Sequence, residues 1–183
     1  MDWCDFFKNT VPTYIPTIIT GIVAILGSIL LYRTSSKERR MRKAENLKKQ
    51  LESFYYPFYL RSKQNTEIRK ALYRDGYPIR LLNALLDDFK FDDNDKVLIN
   101  EIKNNDKELN ELILSKLTII SNLELSEKLA QLSSHYTLFI LACEGKIKGD
   151  SERFKDYVHP NGVRDDVEKE IKKIEKRVEE LNK

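Results

Sequence analysis

"IITGIVAILGSILLYRTSSKERRMRK", residues 18–43, passes without a break from hydrocarbon to dense positive charge. No charged residue occurs between Lys8 and Arg33, a run of 24 positions from 9 to 32. A bilayer-spanning helix needs about 20 apolar residues, so this run is long enough to cross with some tilt. The competing reading is a cleaved signal peptide, which wants a basic start and a small-residue cleavage site. Here the start, "MDWCDFFKN", is slightly acidic and the run ends in a basic block, so an anchor is the better expectation. Pro12 and Pro16 are expected near the outer start of that helix, where a missing N–H costs little.

The charge pattern sets the expected orientation. Residues 33–49 hold eight basic side chains against Glu38 and Glu45, a local +6, while residues 1–32 sum to −1. With +3 overall, the remainder carries 3 − 6 + 1 = −2, so the positive charge is one band beside the apolar run. Basic residues stay on the cytoplasmic side, which places the N-terminus outside and everything from Arg33 onward inside.

Within the run, Thr17, Gly21, Ala24 and Ser28 recur at steps of four, three and four and form one stripe of small residues. Helices in lipid pair where small side chains let backbones approach. Gly and Ser are also simply common in membrane helices, and the two readings stand side by side. If the stripe packs, the chain is a homo-oligomer through its membrane segment.

Beyond the anchor the sequence reads as all-α: no alternating strand pattern appears, and Leu, Ile, Lys and Glu dominate. The expected organisation is an external N-terminus with a transmembrane helix over 1–32, a basic stem helix over 33–62, and a cytoplasmic bundle of four to five helices over 63–183. Ala44, Leu47, Leu51, Phe54 and Phe58 put one apolar stripe on the stem. Pro57 predicts a kink or restart, and the aromatic run around it suits core packing better than base stacking. Gly76 and Pro78 mark a turn, "DDND" a helix cap, Ser126 a second cap, Gly145 a helix end, and "GDSERFKDYVHPNGVRD" a loop. Val167, Ile171, Ile174, Val178 and Leu181 form a heptad seam, either between subunits or against the chain's own domain.

Chemistry is sparse. Cys4 and Cys143 would lie on opposite sides of the bilayer, and with two distant histidines they make no zinc pattern. Cys143 reads as a core thiol. "DDNDK" lacks the glycine and distal glutamate of a calcium loop, and "CEGKIKGD" lacks the spacing of a phosphate loop. His135 reads as a core histidine, and His159 has no paired nucleophile in view. We therefore expect no enzyme, no catalytic residue, no metal and no cofactor. The strongest candidate site is Arg33, Lys37, Arg39, Arg40, Arg42 and Lys43. In one reading these residues set topology and bind anionic lipid headgroups. In the other, several gathered chains turn them into cationic rings that attract nucleotides or a nucleic-acid strand at the inner mouth of a pore.

This layout, "PTIITGIVAILGSILLY" running into a basic helix, then "LESFYYPFYLRSKQ", then a modest helical domain, resembles the small single-span membrane effectors of bacterial anti-phage defence operons. It resembles in particular the Hailong-type channel effector, a likeness that implies the inner membrane of a bacterium. That resemblance implies a membrane channel whose opening depolarises the cell, held closed by a single-stranded DNA oligomer from a partner nucleotidyltransferase. It carries over no site residue. One helix cannot enclose a pore, so at least about four copies must gather, a tetramer being the first expectation. The alternative is a membrane-tethered adaptor whose helical domain docks a partner protein.

Overall fold

The computed structural model describes residues 3–72 and 80–183, with side chains from residue 19 onward. The expected turn at Gly76 and Pro78 lies outside the described residues. The elements are α1 (Trp3–Gln50), a π-helical turn (Leu51–Tyr55), α2 (Tyr56–Leu72), α3 (Leu81–Leu86), α4 (Asp93–Lys116), α5 (Leu123–Cys143) and α6 (Val163–Asn182), with short 3-10 turns at Leu117–Ile119 and Ser151–Phe154. The protein is all-α, and no strand occurs among the described residues. Two compact units separate, one of residues 1–46 with 178–183, the other of residues 47–177.

In the first unit, one helix from Ile19 onward is long and apolar enough to cross a membrane; its most apolar stretch has mean hydropathy 1.4, and none of it is buried. Pro12 and Pro16 do not sit at the helix start, as the sequence suggested: α1 begins at Trp3 and runs through both. An apolar stretch offers its backbone no competing partner, so helix persists past a missing N–H.

The second unit begins at the π-helical turn. Pro57 has no N–H to give to the preceding turn. Just before it the helix widens by one residue: Tyr56 N–H donates to Leu51 O, the i to i−5 pattern. The helix thus passes the proline, and the stem restarts as α2. The aromatic run becomes core: Phe54, Tyr55 and Phe58 are buried, and Phe54 and Phe58 stack with ring centroids 5.6 Å apart.

α4 packs between α2 and α5. Asp92 caps α4, its carboxylate accepting from Asp95 N at 2.8 Å while Asp95 accepts in return from Asp92 N. Leu72, Leu81, Leu82, Leu86, Ile99, Ile102 and Phe139 close the core at one end, with Cys143 packed half-buried beside it. The cap of α5 is Asn122, not Ser126: the helix starts at Leu123, Asn122 accepts from Leu125 N, and the Ser126 hydroxyl donates back to Asn122 O. Asn and Ser cap equally well, and starting at Asn122 adds the turn that buries Leu125. α5 ends at Gly145, whose φ of 66° and paired bonds from Gly145 N to Ala142 O and Lys146 N to Leu141 O make a Schellman stop. α3 is shorter than "IRLLNALLDDF" implied, because Asp87 and a positive φ at Asp88 end it.

Along α6, Val167, Ile171 and Ile174 of the heptad seam are buried within the chain, so their apolar face is already covered without a second copy. Polar ties fix that helix to α2 and α5: Tyr56 to Glu175 at 2.8 Å, Arg164 to Thr66 at 3.1 Å and Lys128 to Asp166 at 2.6 Å.

Candidate functional site

Three places carry the functional question. The first is the small-residue stripe. Gly21, Ala24 and Ser28 are exposed, and a Cβ added at Gly21 would meet nothing within 4 Å. Ser28 donates its hydroxyl to Ala24 O at 2.8 Å, so its polar atom is satisfied inside the helix and tolerates lipid. Thr17 falls in α1, with its side chain outside the described residues. Among the described residues, nothing packs against this edge at Gly21.

The second is the stem. Arg33, Lys37 and Arg40, spaced four and three apart, share one helix face and line a cavity of about 550 Å³ with Leu181, Asn182 and Lys183. Arg40 reaches Glu180 O at 3.5 Å, which places a cation at the carbonyl end of α6, where the helix dipole favours it. Arg39, Arg42 and Lys43 are exposed and do not line that cavity. The six cations are thus split, three turned to one cavity and three left to solvent.

The third was not singled out from the sequence. On α2, Arg61, Asn65 and Arg69 follow at steps of four and face α4. There Asn65 Nδ2 donates to Asp106 Oδ1 at 2.6 Å, Asn105 Nδ2 donates to Asn65 Oδ1 at 2.9 Å, and Arg61 donates to Asn105 Oδ1 at 3.0 Å. Arg69 donates to Asp106 Oδ2 at only 3.4 Å, and its buried Nε has no hydrogen-bond partner. Asp106 is fully buried, and desolvation raises its pKa to about 7 against the opposing pull of Arg69 and Asn65. A carboxyl that is still partly protonated at neutral pH leaves the positive charge on Arg69 only partly compensated.

Above Arg69 opens a cleft of about 320 Å³ between α2, α3, α5 and the loop before α6. Arg69 and Arg80 supply its charge, Asn83 and Asn161 its amides, and Leu82, Phe139, Phe154 and Tyr157 an apolar wall. Among the described residues that line it there is no carboxylate. His135 and His159 meet there edge to face, ring centroids 5.6 Å apart. Each places Nδ1 against a carbonyl, His135 on Tyr157 O at 2.9 Å and His159 on Pro160 O at 3.0 Å, so each donates from Nδ1 and keeps Nε2 for another partner. Both histidines have lowered pKa values. For His135 desolvation leads and the Arg69 charge adds; for His159 desolvation is followed by the charges of Arg69 and His135. His159 nonetheless remains exposed as a residue. A second cleft of about 250 Å³ shares Arg69, His159 and Asn161 but is balanced in charge, with Arg164 set against Asp106 and Asp165.

The buried His135 fits the core role expected of it, and the Cys143 thiol, raised to about 12 by burial, is not a nucleophile at neutral pH. Among the described residues no group of three His, Cys, Asp or Glu is placed to hold a metal ion. One signal was readable beneath the cleft: Asp106, the partner of Arg69, occupies an apolar-periodic position of α4 with Ile102, Leu109 and Ile113. Comparison with protein-family models, with curated proteins and with solved structures finds no match for this chain.

Proposed function

We propose that this chain is a single-span membrane effector of a bacterial inner membrane, acting as an oligomer. Its N-terminus lies outside, its helical domain in the cytoplasm, and its assembled spans open a pore under the control of an anionic ligand, in keeping with the anti-phage effectors it resembles. The observation that carries this reading is the uncovered span: none of its apolar stretch is buried, and the small edge at Gly21 has empty space beside it. In lipid, where apolar side chains gain nothing by leaving the hydrocarbon, an edge of that shape lets the backbone of another helix approach closely. The positive band from Arg33 to Lys49 supports the orientation, and its exposed members suit anionic headgroups or a ligand at a pore mouth.

The test is induced expression in bacteria with a membrane-potential dye. Wild-type protein collapses the potential, and Gly21→Leu abolishes the collapse while the protein remains in the membrane. Replacing residues 9–32 with an unrelated span of equal length abolishes it too. Full activity of the swapped protein overturns the pore and leaves the tethered adaptor.

A further inference from the structure

We propose that the cleft over Arg69 is a binding site for a phosphate monoester that carries a planar ring. Two arginines line a cavity whose described lining holds no carboxylate, a charge arrangement that favours anions over cations. Arg69 is the less settled of the two. Its bond to Asp106 is long, and its buried Nε lacks an acceptor, a deficit that an oxyanion removes by drawing the guanidinium round into a forked contact. Arg80 stands exposed at the start of α3, able to close on the same group from the solvent side. A phosphate fits this pair better than a carboxylate, because its three oxygens can serve two guanidinium forks where a carboxylate's two oxygens serve one.

The rest of the cleft is apolar and aromatic. Phe139 is buried at its base, with Phe154 and Tyr157 along the wall, surfaces that take up a flat ring. The volume of about 320 Å³ lies at the small end of ligand sites, enough for one ring and one phosphate and too small for a polymer strand. The neighbouring cleft lacks the charge excess and is no part of the site. In the proposed effector this cleft would receive the controlling ligand. That consequence rests on the functional reading; the binding does not, because it is measured without ion flow.

The experiment is calorimetric titration of the full chain in detergent micelles, with phenyl phosphate and inorganic phosphate as probes. Phenyl phosphate saturates a single site and binds more tightly than inorganic phosphate. Arg80→Ala weakens it at least about tenfold without altering the melting temperature, the loss expected for one charge-assisted contact. Arg164→Ala, in the balanced cleft, changes it less than about twofold. Lack of saturation at about 10 mM phenyl phosphate overturns the proposal, as does unchanged affinity in Arg80→Ala. Equal affinity for the two probes overturns the ring part of the site.

Discussion

Replacing Asp106 with Asn removes one titrating oxygen from the α2–α4 contact and keeps nearly the same volume. In the wild-type fold the Asp106 carboxyl has its pKa raised from 3.8 to about 7, with burial the leading cause. A raised acid holds its proton in the folded state longer than in the unfolded one. Its contribution is therefore complete below about pH 4 and is lost as pH climbs through 7. A difference of about three pKa units at 1.36 kcal/mol each gives about 4 kcal/mol in all, of which roughly 2–3 kcal/mol falls between pH 5 and pH 8. The lowered histidines run the other way: their contribution is present above about pH 6.5 and is lost as pH falls. They remain in the variant, so they cancel when wild type and Asp106→Asn are compared at each pH. The assay is urea denaturation of both proteins in the same detergent, followed by the near-ultraviolet signal of the buried Tyr55 and Tyr136. The stability of wild type relative to Asp106→Asn should fall steadily from pH 5 to pH 8. A difference that stays flat, or grows with pH, refutes the reasoning, because it would mean that Arg69 holds the carboxylate charged throughout.

Other outcomes follow from single contacts. Asp92→Ala removes the carboxylate that accepts from Asp95 N in the α4 capping box and should cost about 1 kcal/mol, read as lost amide-exchange protection confined to the first turn of α4. Phe58→Ala empties a site that is 1% exposed and stacked on Phe54, and should lower the stability of the helical domain by about 3–5 kcal/mol in denaturant titrations. Cys143, with its thiol raised to about 12, should be alkylated at pH 8 more than roughly a hundredfold slower than a free cysteine, scored peptide by peptide by mass spectrometry; a rate within tenfold contradicts its burial.

How far the sequence could be read depended on the range of each interaction. Features fixed by near neighbours were legible. The Asp92 cap, the stop at Gly145, the interruption ahead of Pro57 and the inward-facing aromatics each depend on a few consecutive residues. Asn122 and Ser126 are equivalent as caps of α5 by local rules, and burial of Leu125 decides for Asn122. The rule that puts a proline such as Pro12 or Pro16 at a helix start holds in water, yet α1 runs through both. The cleft was out of reach for a different reason. Arg69, His135 and His159 come from α2, α5 and a loop, and no spacing in the chain announces that they meet. Asp106, a charge at an apolar-periodic position of α4, is the residue whose burial calls for a partner across the bundle.

All of the functional account depends on the bare apolar span finding copies of itself. The direct measurement is native mass spectrometry of the protein released from lipid nanodiscs, wild type beside Gly21→Leu. Gly21 touches nothing in one chain, and losing a glycine from a helix interior favours helix by up to about 1 kcal/mol, so the substitution leaves the isolated span intact. The account predicts a discrete assembly of about four chains for wild type, since fewer cannot enclose a pore, and its loss in Gly21→Leu. A wild-type protein that emerges as a single copy, or an assembly indifferent to Gly21→Leu, contradicts it.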